Sequence, residues 1–74
     1  MKDQHTKIKG YRDLSQSEID AMNTIKAEGI RLGLLIEDLR DSELLDQRWV
    51  SIAETHLQQG IMAAVRSVAQ PTTF

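Results

Sequence analysis

Seventy-four residues with no cysteine exclude a disulfide framework and leave little apolar surface to bury inside one small domain. A formal net charge of −2 argues against a non-specific DNA or RNA binder. No apolar run is long enough for a signal peptide or a membrane span, so the expectation is a soluble cytoplasmic protein. Small chains without disulfide or metal staples commonly gain stability by assembling, which makes a homo-oligomer the default.

Residues 1–14, MKDQHTKIKGYRDL, read as an arm. Gly10 interrupts regular structure, while Ile8, Tyr11 and Leu14 recur every three residues, enough for a turn of helix or a docked loop. Tyr11, the only tyrosine, stands between Lys9 and Arg12. One reading is a ring packed on the first helix with its hydroxyl in water. The other is an aromatic platform between cations, which holds a nucleobase by stacking and its phosphates by charge.

Helix one is predicted over residues 15–40. Ser15 and Glu18 form a capping box, and Leu14 and Ile19 the matching hydrophobic staple. Met22, Ile25, Gly29, Leu32, Ile36 and Leu39 alternate steps of three and four, which lines one helix face. A helix-interior glycine costs about 1 kcal/mol, so Gly29 and Gly33 point to a close backbone approach. Lys26 falls on the margin of the apolar arc. Either its stem covers apolar surface while the ammonium snorkels to water, or it is a cation held at the lip of a groove to meet an anion.

Asp41 to Leu45 breaks the pattern, and either Asp46 or Ser42 can cap helix two, predicted over 46–69. Trp49, Ala53, His56, Gly60 and Ala63 or Ala64 define its expected apolar side, flanked by Ile52, Leu57, Ile61 and Val68. Small residues at 53, 60 and 64 would allow a close crossing with the Gly29/Gly33 side. His56 is expected to be a hydrogen-bonded core histidine and Trp49 a core or interface anchor. Arg48, Gln59, Arg66 and Thr55 share the other side. Pro71 ends the helix, leaving a short tail over 70–74.

These elements predict a single all-α domain: a short N-terminal arm, then an antiparallel αα-hairpin, assembled as a homo-oligomer. No P-loop, Gly-rich dinucleotide turn, HExxH or cysteine nucleophile is present, so neither an enzyme nor a metal or cofactor is expected.

The runs GYRDLSQSEIDAMNTIKAEG (10–29) and DQRWVSIAETHLQQGIMAAVRSVAQPTTF (46–74) go further. Together they resemble the phage anti-CBASS cyclic-nucleotide sponges, small proteins that counter the bacterial cyclic-oligonucleotide-based antiphage signalling system. The YRDLS–xx–EI start, the DQRW block, LQQG and the PTTF ending carry the resemblance by their order and spacing. It implies an all-α homo-hexamer in the cytoplasm of the infected host. Such a protein binds cyclic dinucleotides without cleaving them and keeps them from the CBASS effector. Carried over by position, Tyr11 stacks on a base and Lys26 meets the phosphates, with Gly10 and Arg12 as neighbours of the tyrosine. A separate pocket for cyclic trinucleotides is implied near the end of helix two, with Arg66 as the cation and Thr72 and Thr73 as weaker candidates. For Arg66 the plain reading is a surface or intersubunit ion-pair residue. The competing reading of the whole chain is a structural or adaptor oligomerisation module with no small-molecule ligand.

Overall fold

The structure, a computed structural model, describes residues 13–72. Two helices account for most of them: α1, Gln16–Arg40, and α2, Gln47–Ala69. They pack as a hairpin, and there is no strand among the described residues. The predicted all-α hairpin is thus the observed fold. The arm lies almost wholly outside the described residues, which begin at Asp13.

The start of α1 is fixed locally. The Ser15 N–H donates to Glu18 Oε1 at 2.8 Å, and the Glu18 N–H donates to Ser15 Oγ at 3.3 Å. The capping box therefore satisfies two backbone donors that the helix itself leaves unpaired. Along α1, Met22, Ile25, Gly29, Leu32 and Leu39 are half-buried and Ile36 is buried at 5% exposure. These are the six positions that the three-and-four spacing selects.

Asp46, not Ser42, caps α2. Its carboxylate accepts from the backbone N–H groups of Arg48 at 3.0 Å and Trp49 at 3.4 Å. The turn between the helices has its own fastening: the Gln47 side-chain amide donates to the carbonyls of Ser42 at 3.0 Å and Leu39 at 3.2 Å. One amide thus ties the end of α1 to the start of α2. The far end of α2 closes at Gln70, whose φ of 46° is left-handed and whose N–H donates to the Arg66 carbonyl at 2.8 Å. Pro71 then prevents continuation.

The face of α2 that meets α1 differs from the expected one. Val50 is buried, and Ala53, Leu57, Ile61, Ala64, Val65 and Val68 are half-buried. Trp49 is 60% exposed, and His56, Gly60 and Ala63 are exposed. His56 is therefore not a core histidine of this protomer. The shift is about one residue around the helix, or 100°. Opposite, on α1, Gly29 is where Ile61 packs, with its Cγ2 3.6 Å from where a Gly29 Cβ would stand, an ordinary van der Waals distance. Ala53 and Ala64, two of the three small residues expected on the crossing side, are half-buried. Among the described residues, nothing lies within 4 Å of a Cβ added at Gly33 or Gly60.

Across the hairpin, Arg40 donates to Glu54 at 2.7 Å and to Ser51 at 3.2 Å. The pair is more than a third exposed on both sides, so it sets register more than it adds stability.

The capping assignment is directly testable. Asp46→Ala should lower unfolding stability by about 1 kcal/mol, within the 0.5–2 kcal/mol range of lost N-caps, whereas Ser42→Ala should stay within about 0.5 kcal/mol. Urea denaturation followed by circular dichroism compares them, and equal losses would return the cap to the undecided pair.

Candidate functional site

Lys26 is exposed on α1, about a quarter-turn of the helix from the buried seam. Its neighbours three and four residues away are Met22, Asn23, Gly29 and Ile30, none of them anionic. The ion pairs seen among the described residues, Arg31 with Glu28 at 3.2 Å and Arg40 with Glu54, do not use it. Its ammonium is thus held out on a rigid helix without a carboxylate from its own helix turn. Exposed Ile19 and Ile30 share its flank.

Arg66 is exposed in the last turn of α2, where a cation is favoured by the partial negative charge at the helix C-terminus. That helix-end effect is a sufficient structural reason for an arginine there. Thr72 is exposed in the tail. Tyr11, Gly10, Arg12 and Thr73 lie outside the described residues.

The contact of Gly29 with Ile61 fixes how these groups align. Lys26 precedes Gly29 by one turn and Arg66 follows Ile61 by little more than one. In an antiparallel pair, both therefore lie toward the end of the hairpin where α1 begins and α2 finishes. They stand on different helices, Lys26 near the middle of α1 and Arg66 in the last turn of α2.

Between the helices runs a groove of about 450 Å³, walled by Gly29, Gly33 and Ile36 on α1 and by Leu57, Ile61 and Met62 on α2. The sequence points to the two glycines and to a groove with Lys26 at its lip, but only the register of α2 shows which side chains stand opposite. Glu54 and Gln58 contribute its polar margin. Beside Trp49, the Arg48 guanidinium carbon lies 5.5 Å from the indole centroid, a cation–π distance. Among the described residues, no group of three His, Cys, Asp or Glu side chains could hold a metal ion. No described helix is long and apolar enough to cross a membrane.

A family model described as the Acb2/Tad1 hairpin domain matches residues 3–69. The chain belongs to the Acb2/Tad1 hairpin family. Two curated relatives agree with that assignment. Anti-CBASS protein 2 of Pseudomonas phage JBD67 is 36% identical in an alignment that covers 96% of this chain and 97% of the relative. Anti-CBASS protein 2 of Enterobacteria phage T4 is 34% identical, over 86% of this chain and 91% of its own. The Acb2/Tad1 match runs through both helices and into the N-terminal residues that contain Tyr11. The family expected from the sequence motifs is the family found.

The position of Lys26 separates a structural from a functional role. Lys26→Ala should leave stability within about 0.5 kcal/mol of the parent, as expected of an exposed helical site whose packing contribution is small. Thermal unfolding checks this. A loss above about 2 kcal/mol would mean that the lysine stem is part of the packing, as in the snorkelling reading.

Proposed function

We propose that this protein captures cyclic dinucleotides, and cyclic trinucleotides at a second pocket, and releases them unchanged. Captured messenger cannot reach the CBASS effector of the infected bacterium. The observation that carries the reading is Lys26, an exposed cation with no anionic neighbour on its own helix turns. It is joined by descent from a family whose curated relatives are named anti-CBASS proteins.

A cyclic dinucleotide is compact, carries two negative charges and presents two bases. A two-fold pocket between protomers would offer one Tyr11 and one Lys26 to each half of it. Stacking contributes about 1–3 kcal/mol per base, and a charge-assisted phosphate contact about 1.5–3 kcal/mol. Both terms doubled in one rigid site come to about 5–12 kcal/mol, whose upper end matches the roughly −12 kcal/mol of nanomolar binding. Gly10 and Arg12 flank the stacking ring. No bond is made or broken, so no general base, nucleophile or metal is required.

The proposed protein is a homo-oligomer, with a hexamer as the reading carried over from the resemblance. The protomer supports assembly physically: of its described apolar residues only Ile36, Val50 and Ala69 are buried. An isolated hairpin with so small a core is marginal.

Calorimetry against a panel of cyclic nucleotides, followed by heat denaturation and chromatography of the released ligand, tests the central claim. Intact nucleotide is expected. Cleaved product would make the protein an enzyme, and no uptake would leave an oligomerisation module. Tyr11→Ala should abolish dinucleotide binding while Tyr11→Phe keeps most of it, because the ring face supplies the stacking.

Two-pocket binding makes a further demand. Arg66, with Thr72 and Thr73 near it in sequence, would serve the trinucleotide. Arginines gathered around a three-fold axis repel one another until an anion with matching charge and symmetry sits between them. Arg66→Ala should therefore abolish trinucleotide binding and spare dinucleotide binding, and Tyr11→Ala should do the reverse. If either substitution removes both activities from an intact oligomer, a single site is present.

A further inference from the structure

The end of α2 has a backbone that helix termination alone does not call for. Gln70 is the one non-glycine residue with a positive φ among the described residues, at φ 46° and ψ 58°. Glycine usually takes that position, because a Cβ is crowded in the left-handed conformation. Pro71 adds a second restriction, since a proline pushes the residue before it toward extended backbone. The chain nevertheless keeps a long side chain at 70 and a proline at 71.

Surrounding contacts hold this corner in place. The Gln70 N–H donates to the Arg66 carbonyl at 2.8 Å, and its side-chain Nε2 donates to the Ser67 carbonyl at 3.2 Å. One residue thus satisfies two of the carbonyls that a helix leaves open at its end. Capping explains the bonds but not the choice of residue, because a glycine N–H closes the same turn without strain. Ala69 before the corner is buried and Pro71 after it is half-buried, while Thr72 beyond it is exposed. A strained conformation persists only where its surroundings over-determine it, and such sites cluster at ligand clamps.

We infer that Gln70 is a positioning residue: its left-handed corner, stiffened by Pro71, holds the tail beside Arg66 as one wall of the trinucleotide pocket. The inference rests on the second pocket proposed above. Consecutive restraints set the direction of the tail: a helical Ala69, a left-handed Gln70, and a Pro71 whose ring fixes its φ at about −65°. Thr72 lies two residues past Gln70, so at most about 7 Å of chain separates them. Because Gln70 is itself bonded to the Arg66 carbonyl, a hydroxyl and a guanidinium belong to one short, stiff segment. An anion with several oxygens can use both donors at once. A tail fixed beforehand loses little freedom when it meets such a ligand. A glycine corner would cap the helix as well but leave that ordering to be done on binding.

Calorimetry of the full chain against cyclic trinucleotides of adenosine and guanosine, paired with thermal unfolding, is the test. Gln70→Gly keeps the left-handed turn and removes its strain. Its melting temperature should match or exceed that of the parent, while trinucleotide affinity falls about 5- to 30-fold, the equivalent of ordering one residue's backbone. Dinucleotide affinity should not change. A merely structural cap would not separate these readouts, since a more stable helix end would bind as well or better. Gln70→Asn tolerates the left-handed region and should keep most of the affinity. Pro71→Ala removes the second restraint and should weaken trinucleotide binding alone. With a parent that binds, undiminished affinity in Gln70→Gly overturns the inference and leaves the pocket standing. A loss of affinity that follows a loss of melting temperature overturns it too, because the residue then acts only through stability. If the parent takes up dinucleotides but no trinucleotide, the second pocket fails and the role of Gln70 fails with it.

Discussion

Ile61 against Gly29 is the contact on which the rest of the hairpin depends. It fixes the rotation of α2 about its own axis and its height along α1. From that rotation follow the burial of Val50 and the exposure of Trp49 and His56. From that height follows the bridge of Arg40 to Glu54. The glycine carries a propensity cost, and Ile61 lies at ordinary van der Waals distance from where its Cβ would stand.

A two-helix hairpin can cover one stripe of each helix and no more. Both helices here are apolar over arcs wider than that stripe, so satisfying the protomer leaves Ile30, Leu34, Trp49 and Met62 in water. In a larger domain such residues would find a third element; a chain of this length has few to offer. The same exposure leaves Lys26 at the edge of an apolar flank, where low-polarity neighbours would strengthen any contact its ammonium makes once the flank is covered.

How much of this was legible depends on how many answers the local chemistry allowed. The capping box at Ser15 and Glu18 and the α1 seam through Ile36 each had one, since the polar residues on the far side of α1 excluded other rotations. The cap of α2 had two, Ser42 and Asp46, and only the hydrogen bonds to Arg48 and Trp49 decide between them. On α2 the stripe through Val50, Leu57, Ile61 and Val68 is the more apolar one, and the expectation through Trp49 and His56 rests instead on the tryptophan and the small residues. Periodicity measures apolar spacing and cannot see that Ile61 stands opposite Gly29. Gln47 gave no signal at all: a glutamine at the start of a helix is ordinary, and its bonds to Leu39 and Ser42 exist only once the turn is formed. Of the candidate site, Lys26 stood out because it broke a pattern. Arg66 did not, since a helix C-terminus attracts cations for reasons unrelated to ligands.

The proposed sequestration suits a fold that is marginal alone. An enzyme must hold reacting groups within fractions of an ångström through turnover, whereas a sponge must only make the bound state much lower in free energy than the free one. A ligand that binds the folded assembly and not the unfolded chain adds stability by mass action, about 2.7 kcal/mol at a hundredfold excess over its dissociation constant. For a hairpin with three buried apolar residues among those described, that increment is comparable to the contribution of its best-buried side chain. Messenger capture and completion of the fold would then draw on the same free energy. The bound nucleotide would be part of what holds the protein together, and a short chain with an exposed cation and wide apolar helix faces would need nothing more elaborate.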